Sequence, residues 1–532
     1  MGQSAHRDRF VIDHLPSTDQ WPDLIFDRPE LAYPEQLNAG VELLRRAIEA
    51  AGSDGRALLQ ADRVWTWGEV DAASDRMARV LVEDMGLVPG NRVLLHGPNS
   101  VWVTAAWFAI LKAGGVVVAT MPMLRAAELG TVVDKAQVSH ALIDEMLTDV
   151  VAEARAAVPV LKQVMSSDAL REAADAGPAG FEAIDTASDD PALIAFTSGT
   201  TGRPKGCVHF HRDVLAMTDT FARHIVKLTK EDVVVGTPPI AFTFGLGGLV
   251  VFPAAVGATT AYPDRPGFEA LAETVERHGA TALFTAPTGY RALLKLTGRH
   301  DLSSLKICVS AGEPLPAATS DAWFEATGVR IIDGIGSTEM IHIFISAAGD
   351  DIRPGATGKA VPGYEARIVD ESGQLLLAGG TGRLAVRGPT GCRYLADDRQ
   401  TDYVQSSWNL TGDIYHQDTD GYFWFVARAD DMIVSSGYNI GAPEVENALM
   451  RHPAVAEAAV IGVPDPERGQ IVKAFVVLNP GHEASQDLRA ALQGFVKSEI
   501  APYKYPRALE FADALPRTQT GKLQRFRLKA GA

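Results

Sequence analysis

The segment 196–206 combines glycines, hydroxyl side chains and a lysine directly after the apolar run 192–195. Glycines let backbone N–H groups approach phosphate oxygens, hydroxyls add donors, and a lysine adds positive charge. The segment therefore predicts a loop that holds a triphosphate. Its candidate ligand-binding residues are Thr197, Ser198, Gly199, Thr200, Thr201, Gly202 and Lys205.

The spacing in this loop excludes a Walker A motif, which needs a second Gly five residues after the first and Ser or Thr after the lysine. Pro204 occupies the second glycine position, and Gly206 follows Lys205. The segment instead closely resembles the phosphate loop of the adenylate-forming superfamily. That superfamily includes acyl- and aryl-CoA ligases, firefly luciferase and peptide adenylation domains, and the resemblance covers the whole chain.

A second segment, 333–339, reads Asp-Gly-Ile-Gly-Ser-Thr-Glu after the predicted strand 329–332, and we expect it on a loop facing the same pocket. The resemblance implies that Thr338 binds the α-phosphate and that Glu339 helps hold Mg²⁺, which needs one or two carboxylates beside phosphate oxygens. The family commonly has Asn and an aromatic residue where this chain has Asp333 and Ile335. We therefore expect an aliphatic face, including Gly334, against the adenine of ATP.

Two further segments complete the nucleotide site that the resemblance implies. Ala311, Gly312 and Glu313 follow another predicted strand and would wrap the adenine and ribose. Asp413 would accept hydrogen bonds from the ribose hydroxyls, and Arg428 would donate to them. A carboxylate facing a vicinal diol makes charge-assisted hydrogen bonds, which explains the residue type.

The segment 516–522 resembles the family's catalytic-lysine loop, with Lys522 as the lysine. Adenylation brings a carboxylate against the α-phosphate of ATP, so a cation that bridges these two anions would stabilise the transition state. The resemblance also implies a hinge at Asp430, about which a C-terminal domain withdraws Lys522. The same motion would bring another segment of the chain to the pantetheine of coenzyme A. That segment consists of Ser435, Ser436, Gly437 and Tyr438.

The resemblance is especially close to benzoate- and 2-aminobenzoate-CoA ligases in the segment 334–344. It implies a flat pocket for an aromatic carboxylate, with 2-aminobenzoate favoured over benzoate. The expected pocket residues are Phe242, Thr243, Phe244, Gly245, Ala286, Gly334, Gly336 and His342. Two alternatives remain open: an adenylating enzyme that loads a carrier-protein thiol, and a catalytically silent interaction module.

The fold that positions these residues is predicted to be of the α/β class, because apolar runs rich in Val and Ile alternate with amphipathic stretches. We expect a large N-terminal domain, 1–429, of layered α/β subdomains. Short alternating segments after residue 355 predict a small barrel-like β subdomain within it. A small mobile α+β domain, 430–532, is expected to carry the catalytic lysine loop.

Composition narrows the classes of partner. The 532 residues carry a formal net charge of −17, which argues against nucleic acid and favours a cytoplasmic enzyme that meets ATP through local cations. Cys207, Cys308 and Cys392 are widely spaced, which predicts buried free thiols. The apolar stretch 101–124 predicts a buried helix and strand, and 236–263 a glycine-rich pocket wall, so no membrane span is expected. We expect a monomer or homodimer.

Overall fold

The computed structural model describes residues 3–197, 204–435, 438–466, 468–517 and 523–530. These residues form four β-sheets with helices packed against them. Two sheets are mainly parallel and lie early in the chain, and two mainly antiparallel sheets follow. This order confirms the α/β class and the strand-rich subdomain predicted from the sequence.

The first sheet has six strands and presents the predicted phosphate loop. Its inner strands are apolar and buried, as expected where helices cover both faces of a parallel sheet. The last two strands pair antiparallel, with Thr197 opposite Lys205, so the two ends of the loop lie side by side. In spatial order the strands are Gln163–Ser166, His140–Ile143, Arg92–His96, Val116–Thr120, Pro191–Thr197 and Lys205–Phe210.

The second sheet has nine strands, parallel in its centre and antiparallel at both edges. The strand Ile331–Gly336 overlaps the strand predicted at 329–332, and candidate site residues lie on it and directly after Ile307–Ser310. In spatial order the strands are Lys359–Ala360, Ile343–Ser346, Ile331–Gly336, Ile307–Ser310, Ala282–Thr285, Val233–Gly236, Thr259–Tyr262, Arg56–Gln60 and Arg63–Thr66.

Helices cover both sheets. The helix Val101–Lys112 is apolar on every face and fully buried apart from Trp102, and the Ser100 hydroxyl caps it by accepting from Val103 N–H, which confirms the predicted buried helix. The α-helices up to residue 403 are Phe10–Asp13, Ala39–Ala51, Trp67–Arg79, Val101–Lys112, Ala126–Ala136, Thr148–Ala157, Ser167–Ala176, His211–Met217, Thr243–Leu246, Phe252–Val256, Phe268–His278, Pro287–Leu294, Ala317–Thr327 and Gln400–Tyr403.

The glycine-rich stretch 236–263 is mainly helical. A helix runs through 243–256 with a π-helical turn at Gly247–Val251, before the strand Thr259–Tyr262. Its glycines permit close packing, because a Cβ at Gly248 would lie 2.7 Å from the Phe284 ring. In the described part of the chain, no helix is both long enough and apolar enough to cross a bilayer.

The third sheet forms the small β subdomain and is antiparallel throughout. Its strands are Glu365–Val369, Thr381–Arg387, Val404–Gln405, Trp408–Gln417 and Phe423–Arg428. The last two strands pair Asp413 with Arg428. The predicted ribose-binding residues therefore face each other across one strand pair.

The C-terminal unit has a sheet and a hydrophobic core of its own, drawn from residues between Ile433 and Leu509. Its strands are Ile433–Ser435, Tyr438–Ile440, Val455–Asp465, Gly469–Leu478 and Ala508–Phe511, and its helices are Ala442–Met450, Gln486–Glu499 and Arg525–Ala530. A sheet with helices beside it matches the small α+β unit that the sequence predicts for this part of the chain.

Gly358 joins the nine-stranded sheet to the β subdomain and is suited to a mutational test. It has φ +130°, its carbonyl accepts from Phe423 N–H, and a Cβ would lie 2.2 Å from the Ser346 carbonyl carbon. We expect Gly358→Ala to lower the free energy of unfolding by about 3 kcal/mol or more, measured by urea denaturation. Gly349→Ala is the matched control: its φ is +60° but its Cβ would meet open space, so about 1 kcal/mol should be lost. Equal losses would contradict this account.

Candidate active site

The phosphate loop begins and ends on paired strands, but Ser198, Gly199, Thr200, Thr201 and Gly202 lie outside the described residues. At its start, Thr197 Oγ1 is shielded from water and meets no hydrogen-bond partner in the described part of the chain. Buried polar groups normally have partners, so an orphaned hydroxyl at this position fits a ligand with acceptor oxygens.

At the other end of the loop, Lys205 is linked to Glu339 through Tyr394. Lys205 Nζ donates to the Tyr394 hydroxyl oxygen at 2.7 Å, and the Tyr394 hydroxyl donates to Glu339 Oε1 at 2.5 Å. The ammonium and the carboxylate are themselves 3.7 Å apart. Burial and the neighbouring Glu339 raise the pKa of Tyr394 far above its usual value, so the phenol stays a donor. A cation for phosphate and a carboxylate suited to Mg²⁺ therefore lie together.

The structure corrects the predicted loop at 333–339. The strand Ile331–Gly336 includes the first four residues, and a tight turn leads back into Ile343–Ser346. The glycines permit this hairpin, because a Cβ at Gly334 would lie 2.7 Å from the Ile343 side chain. At Gly336 a Cβ would lie 2.7 Å from the His342 carbonyl oxygen. The backbone approach of the two strands therefore explains these residues.

Thr338 and Glu339 lie in the 3-10 turn Thr338–Met340, which side chains from distant segments hold. Thr390 Oγ1 donates to the Met340 carbonyl at 2.9 Å, and Ser337 Oγ lies 3.1 Å from the Tyr403 hydroxyl. His209 Nε2 lies 2.7 Å from the Thr338 carbonyl oxygen. Sequence reasoning missed Thr390, Tyr394, Tyr403 and His209, since no periodicity or spacing links them to residue 339.

Buried polar atoms lie at the ends of two neighbouring strands, where the sequence analysis expects the adenine of ATP. Ser310 pairs with Asp333, and neither Ser310 Oγ nor Asp333 Oδ1 meets a partner among the residues that the structure describes. Burial raises the pKa of Asp333 to about 7, although the Gly334 N–H opposes the shift. Ala311, Gly312 and Glu313 follow Ser310 directly, and Ile335 packs against the core beside Asp333.

On the ribose side, Asp413 and Arg428 are an ion pair. Their charged atoms are 3.3 Å apart, with the Asp413 side chain 10% exposed and the Arg428 side chain 48% exposed. The predicted Thr-Gly-Asp turn is part of the strand Trp408–Gln417, where Gly412 has φ +77° at a register shift. Burial raises the pKa of Asp413, and Arg428 opposes that shift.

The predicted acid pocket contains a cluster of aromatic rings around His342. The rings of Phe221, Phe244 and Phe252 lie 5.3, 5.9 and 4.7 Å from the imidazole. His342 is buried, and within the described residues its ring nitrogens meet no hydrogen-bond partner. Burial lowers the pKa of His342 to about 3, with the Phe244 backbone opposing the shift, so the imidazole is neutral.

The other predicted pocket residues lie at helix starts. Phe242 precedes the helix that begins at Thr243, and Ala286 precedes the helix Pro287–Leu294. Gly245 must be glycine, since a Cβ would lie 2.1 Å from the Pro239 carbonyl oxygen. Phe221 and Phe252 were not predicted; they come from the π-helical segment Thr218–Val226 and from the glycine-rich helix.

The C-terminal unit contacts the nucleotide side of the cleft. Arg517 Nη1 lies 3.6 Å from Glu313 Oε1 and also pairs with Glu457. Lys522, Ser436 and Gly437 lie outside the described residues. Ser435 and Tyr438 pair across a hairpin, and Asp430 is in the 3-10 turn Ala429–Asp431.

With this geometry established, comparisons with known proteins define the class. A model of the AMP-binding enzyme family matches residues 44–394, and a model of its C-terminal domain matches residues 444–522. The chain therefore belongs to the AMP-binding enzyme family and is an AMP-forming acid–thiol ligase. This confirms the superfamily predicted from the sequence.

Several individual relatives of the chain are named as ligases of aromatic acids. The chain is 35% identical over 514 residues to benzoate–CoA ligase of Thauera aromatica, covering 94% of this chain and 97% of that protein. It is similar to the crystal structure of the anthranilate CoA ligase AuaEII with anthranoyl-AMP, with a TM-score of 0.90, 35% identity, and coverage of 95% and 99%. A benzoate CoA ligase from Burkholderia xenovorans LB400 matches with a TM-score of 0.84, 32% identity, and coverage of 93% and 100%.

The buried Asp333 predicts a pH-dependent stability. Because its folded pKa lies above that of an unfolded aspartate, it costs stability increasingly as pH rises from about 4 to about 7. Asp333→Asn removes this cost, so its free energy of unfolding should exceed that of the wild type by up to about 4 kcal/mol at pH 8. Denaturant unfolding across this pH range measures the difference.

Asp264 is the control, because its carboxylate should change stability with pH in the opposite direction to that of Asp333. Its hydrogen bond from Arg277 lowers its pKa, so this carboxylate stabilises the fold above the unfolded pKa. The free energy of unfolding of Asp264→Asn should therefore fall slightly below that of the wild type as pH rises. An Asp333→Asn difference that is constant across pH would refute the proposed ionisation.

Tyr394→Phe tests the link between Lys205 and Glu339. Losing a buried hydrogen bond to a charged group should weaken Mg·ATP binding about 10- to 100-fold, measured by titration calorimetry. Tyr33→Phe is the matched control, because the Tyr33 hydroxyl also donates to a carboxylate, Asp219, that an arginine pairs with. If the two variants weakened ATP binding equally, the effect would not depend on the link between Lys205 and Glu339.

Proposed function

We propose that this enzyme is an ATP-dependent aryl-CoA ligase for an acid of the 2-aminobenzoate or benzoate type. It forms an acyl-AMP with release of pyrophosphate and then transfers the acyl group to coenzyme A. The observation that carries the proposal is the hairpin 331–346, which presents Glu339 to the phosphate loop and His342 to the aromatic cluster. One hairpin thus serves both the nucleotide and the acid.

In the first step, a carboxylate oxygen of the acid attacks the α-phosphorus of ATP, and the bond to pyrophosphate breaks. Both reactants are anions, so the site must supply positive charge and donors. Lys205 and Thr338 would contact phosphate oxygens, and Lys522 would bridge the carboxylate and the α-phosphate. Glu339 would help hold Mg²⁺, which supplies charge neutralisation when bound.

The aromatic cluster supports a flat, apolar substrate. Phe244 offers a ring face or edge to an aryl acid, and His342 is a neutral imidazole with unpartnered nitrogens. A neutral imidazole accepts a hydrogen bond at one nitrogen, so it suits the amino group of 2-aminobenzoate. The relatives named as anthranilate and benzoate CoA ligases support the same substrate class.

In the second step, the thiol of coenzyme A attacks the acyl carbon, and AMP leaves. We propose that the C-terminal domain, beginning at Asp430, turns so that Lys522 withdraws and the segment 435–438 meets the pantetheine. Its separate core and its contact through Arg517 and Glu313 support a unit that docks as a body.

The substrate is tested by ATP–pyrophosphate exchange with 2-aminobenzoate, benzoate, other ring-substituted acids and malonate. We expect exchange with aromatic acids and the highest kcat/KM with 2-aminobenzoate. Thioester formation is then compared between coenzyme A and a phosphopantetheinylated carrier protein. Turnover only with the carrier would replace the ligase assignment, and exchange with malonate alone would refute the aromatic pocket.

Lys522→Ala tests the catalytic lysine. Adenylation should fall about 10²- to 10³-fold, as for the loss of one preorganised donor, while thioester formation from supplied acyl-AMP stays within a few-fold of the wild type. Lys497→Ala, on the helix Gln486–Glu499, is the control and should retain both activities. If the Lys522 variant slowed both steps equally, its proposed role in adenylation would be wrong.

A further inference from the structure

A buried cluster of charged and titratable groups lies behind the turn that carries Thr338 and Glu339. His209, Asp213 and Arg393 have fully buried side chains, although they come from a strand, a helix and a distant loop. Burying charges is costly unless they are paired and hydrogen-bonded.

Asp213 is the centre of the cluster. Its Oδ2 accepts from Arg393 Nη1 at 2.7 Å and from Phe210 N–H at 3.0 Å, and His209 Nδ1 lies 3.7 Å away. Burial alone would raise the pKa of Asp213, but Arg393 and His209 outweigh it and hold the pKa below its usual range. The carboxylate is therefore ionised, and it lies beside the imidazole, although Nδ1 meets no hydrogen-bond partner among the residues that the structure describes.

The other side of the His209 ring meets the active-site turn. Nε2 lies 2.7 Å from the Thr338 carbonyl oxygen, and because a carbonyl can only accept, Nε2 carries a hydrogen and donates. The same oxygen accepts from Ile341 N–H at 3.1 Å. Ile341 has φ +64°, which a β-branched residue rarely adopts, so this turn is held in a strained form.

We propose that His209 is a positioning residue for adenylation, which holds the Thr338 carbonyl so that the Thr338 side chain faces the α-phosphate. The inference rests on the function proposed above. Asp213 and Arg393 form a buried ion pair beside the imidazole. Arg393 is also tied to the strand of His209, since its carbonyl accepts from Val208 N–H at 2.8 Å. The neighbouring Tyr394 contacts Glu339, so one loop supports both residues of the turn.

Two substitutions at residue 209 separate positioning from packing. His209→Leu removes the donor, whereas His209→Gln can place an amide N–H near the Nε2 position. We expect His209→Leu to lower kcat for ATP–pyrophosphate exchange about 10- to 100-fold, with the KM of the aromatic acid within about twofold. His209→Gln should recover most of this loss.

His140→Leu is the matched control, because His140 is buried and its Nε2 lies 3.1 Å from the Met85 carbonyl in another part of the first sheet. Melting temperatures are recorded for all variants. If His209→Leu does not fold, His209→Gln is compared with His209→Asn, whose amide would face Asp213 instead of Thr338. Equal kcat values for the two residue-209 variants that are compared would overturn the inference. A loss of kcat in His140→Leu as large as that in His209→Leu would also overturn it. A wild type that forms no acyl-AMP would instead refute the proposed function.

Discussion

The hydrogen bonds that Tyr394 makes with Lys205 and Glu339 join the main parts of the cleft. Lys205 belongs to the first sheet, Glu339 to a hairpin of the second, and Tyr394 to the segment between the strands Thr381–Arg387 and Val404–Gln405 of the β subdomain. The Tyr394 hydroxyl hydrogen-bonds to both groups and so holds the ammonium and the carboxylate 3.7 Å apart. The Tyr394 hydroxyl thus joins the first sheet, the second sheet and the β subdomain at the site proposed for the phosphates.

The electrostatics of the cleft follow from the same arrangement. A chain with a net charge of −17 binds an anionic nucleotide only if cations lie where the phosphates must go. Lys205 is such a cation in the proposed phosphate site, whereas the proposed acid pocket holds a neutral His342 among phenyl rings. The proposed phosphate site is therefore charged and the proposed acid pocket is apolar, although the hairpin 331–346 contributes to both.

The sequence predicted much of this site because candidate residues follow strands, and the carboxyl ends of parallel strands meet at one edge. Ser310 and Asp333 confirm that logic, since their strands pair side by side. The loop predicted at 333–336 was wrong, because alternation with two glycines conceals a strand whose partner, Ile343–Ser346, lies beyond a tight turn. The glycine-rich segment 236–263 was predicted to be a pocket wall, and packing against Phe284 and His342 makes its centre a helix that carries Phe244 and Phe252 of the aromatic cluster.

By itself the sequence determined the class of chemistry, since the spacing of glycines, hydroxyls and Lys205 restricts the ligand to phosphate and excludes a Walker A loop. It also determined the α/β layering, because hydrophobic periodicity is a local property. Only the tertiary structure decided which groups support the site. Tyr394 reaches Glu339 across 55 residues of chain, and His209 reaches Thr338 across 129. Such contacts depend on how sheets and loops pack, and no local pattern encodes a partner so far along the chain.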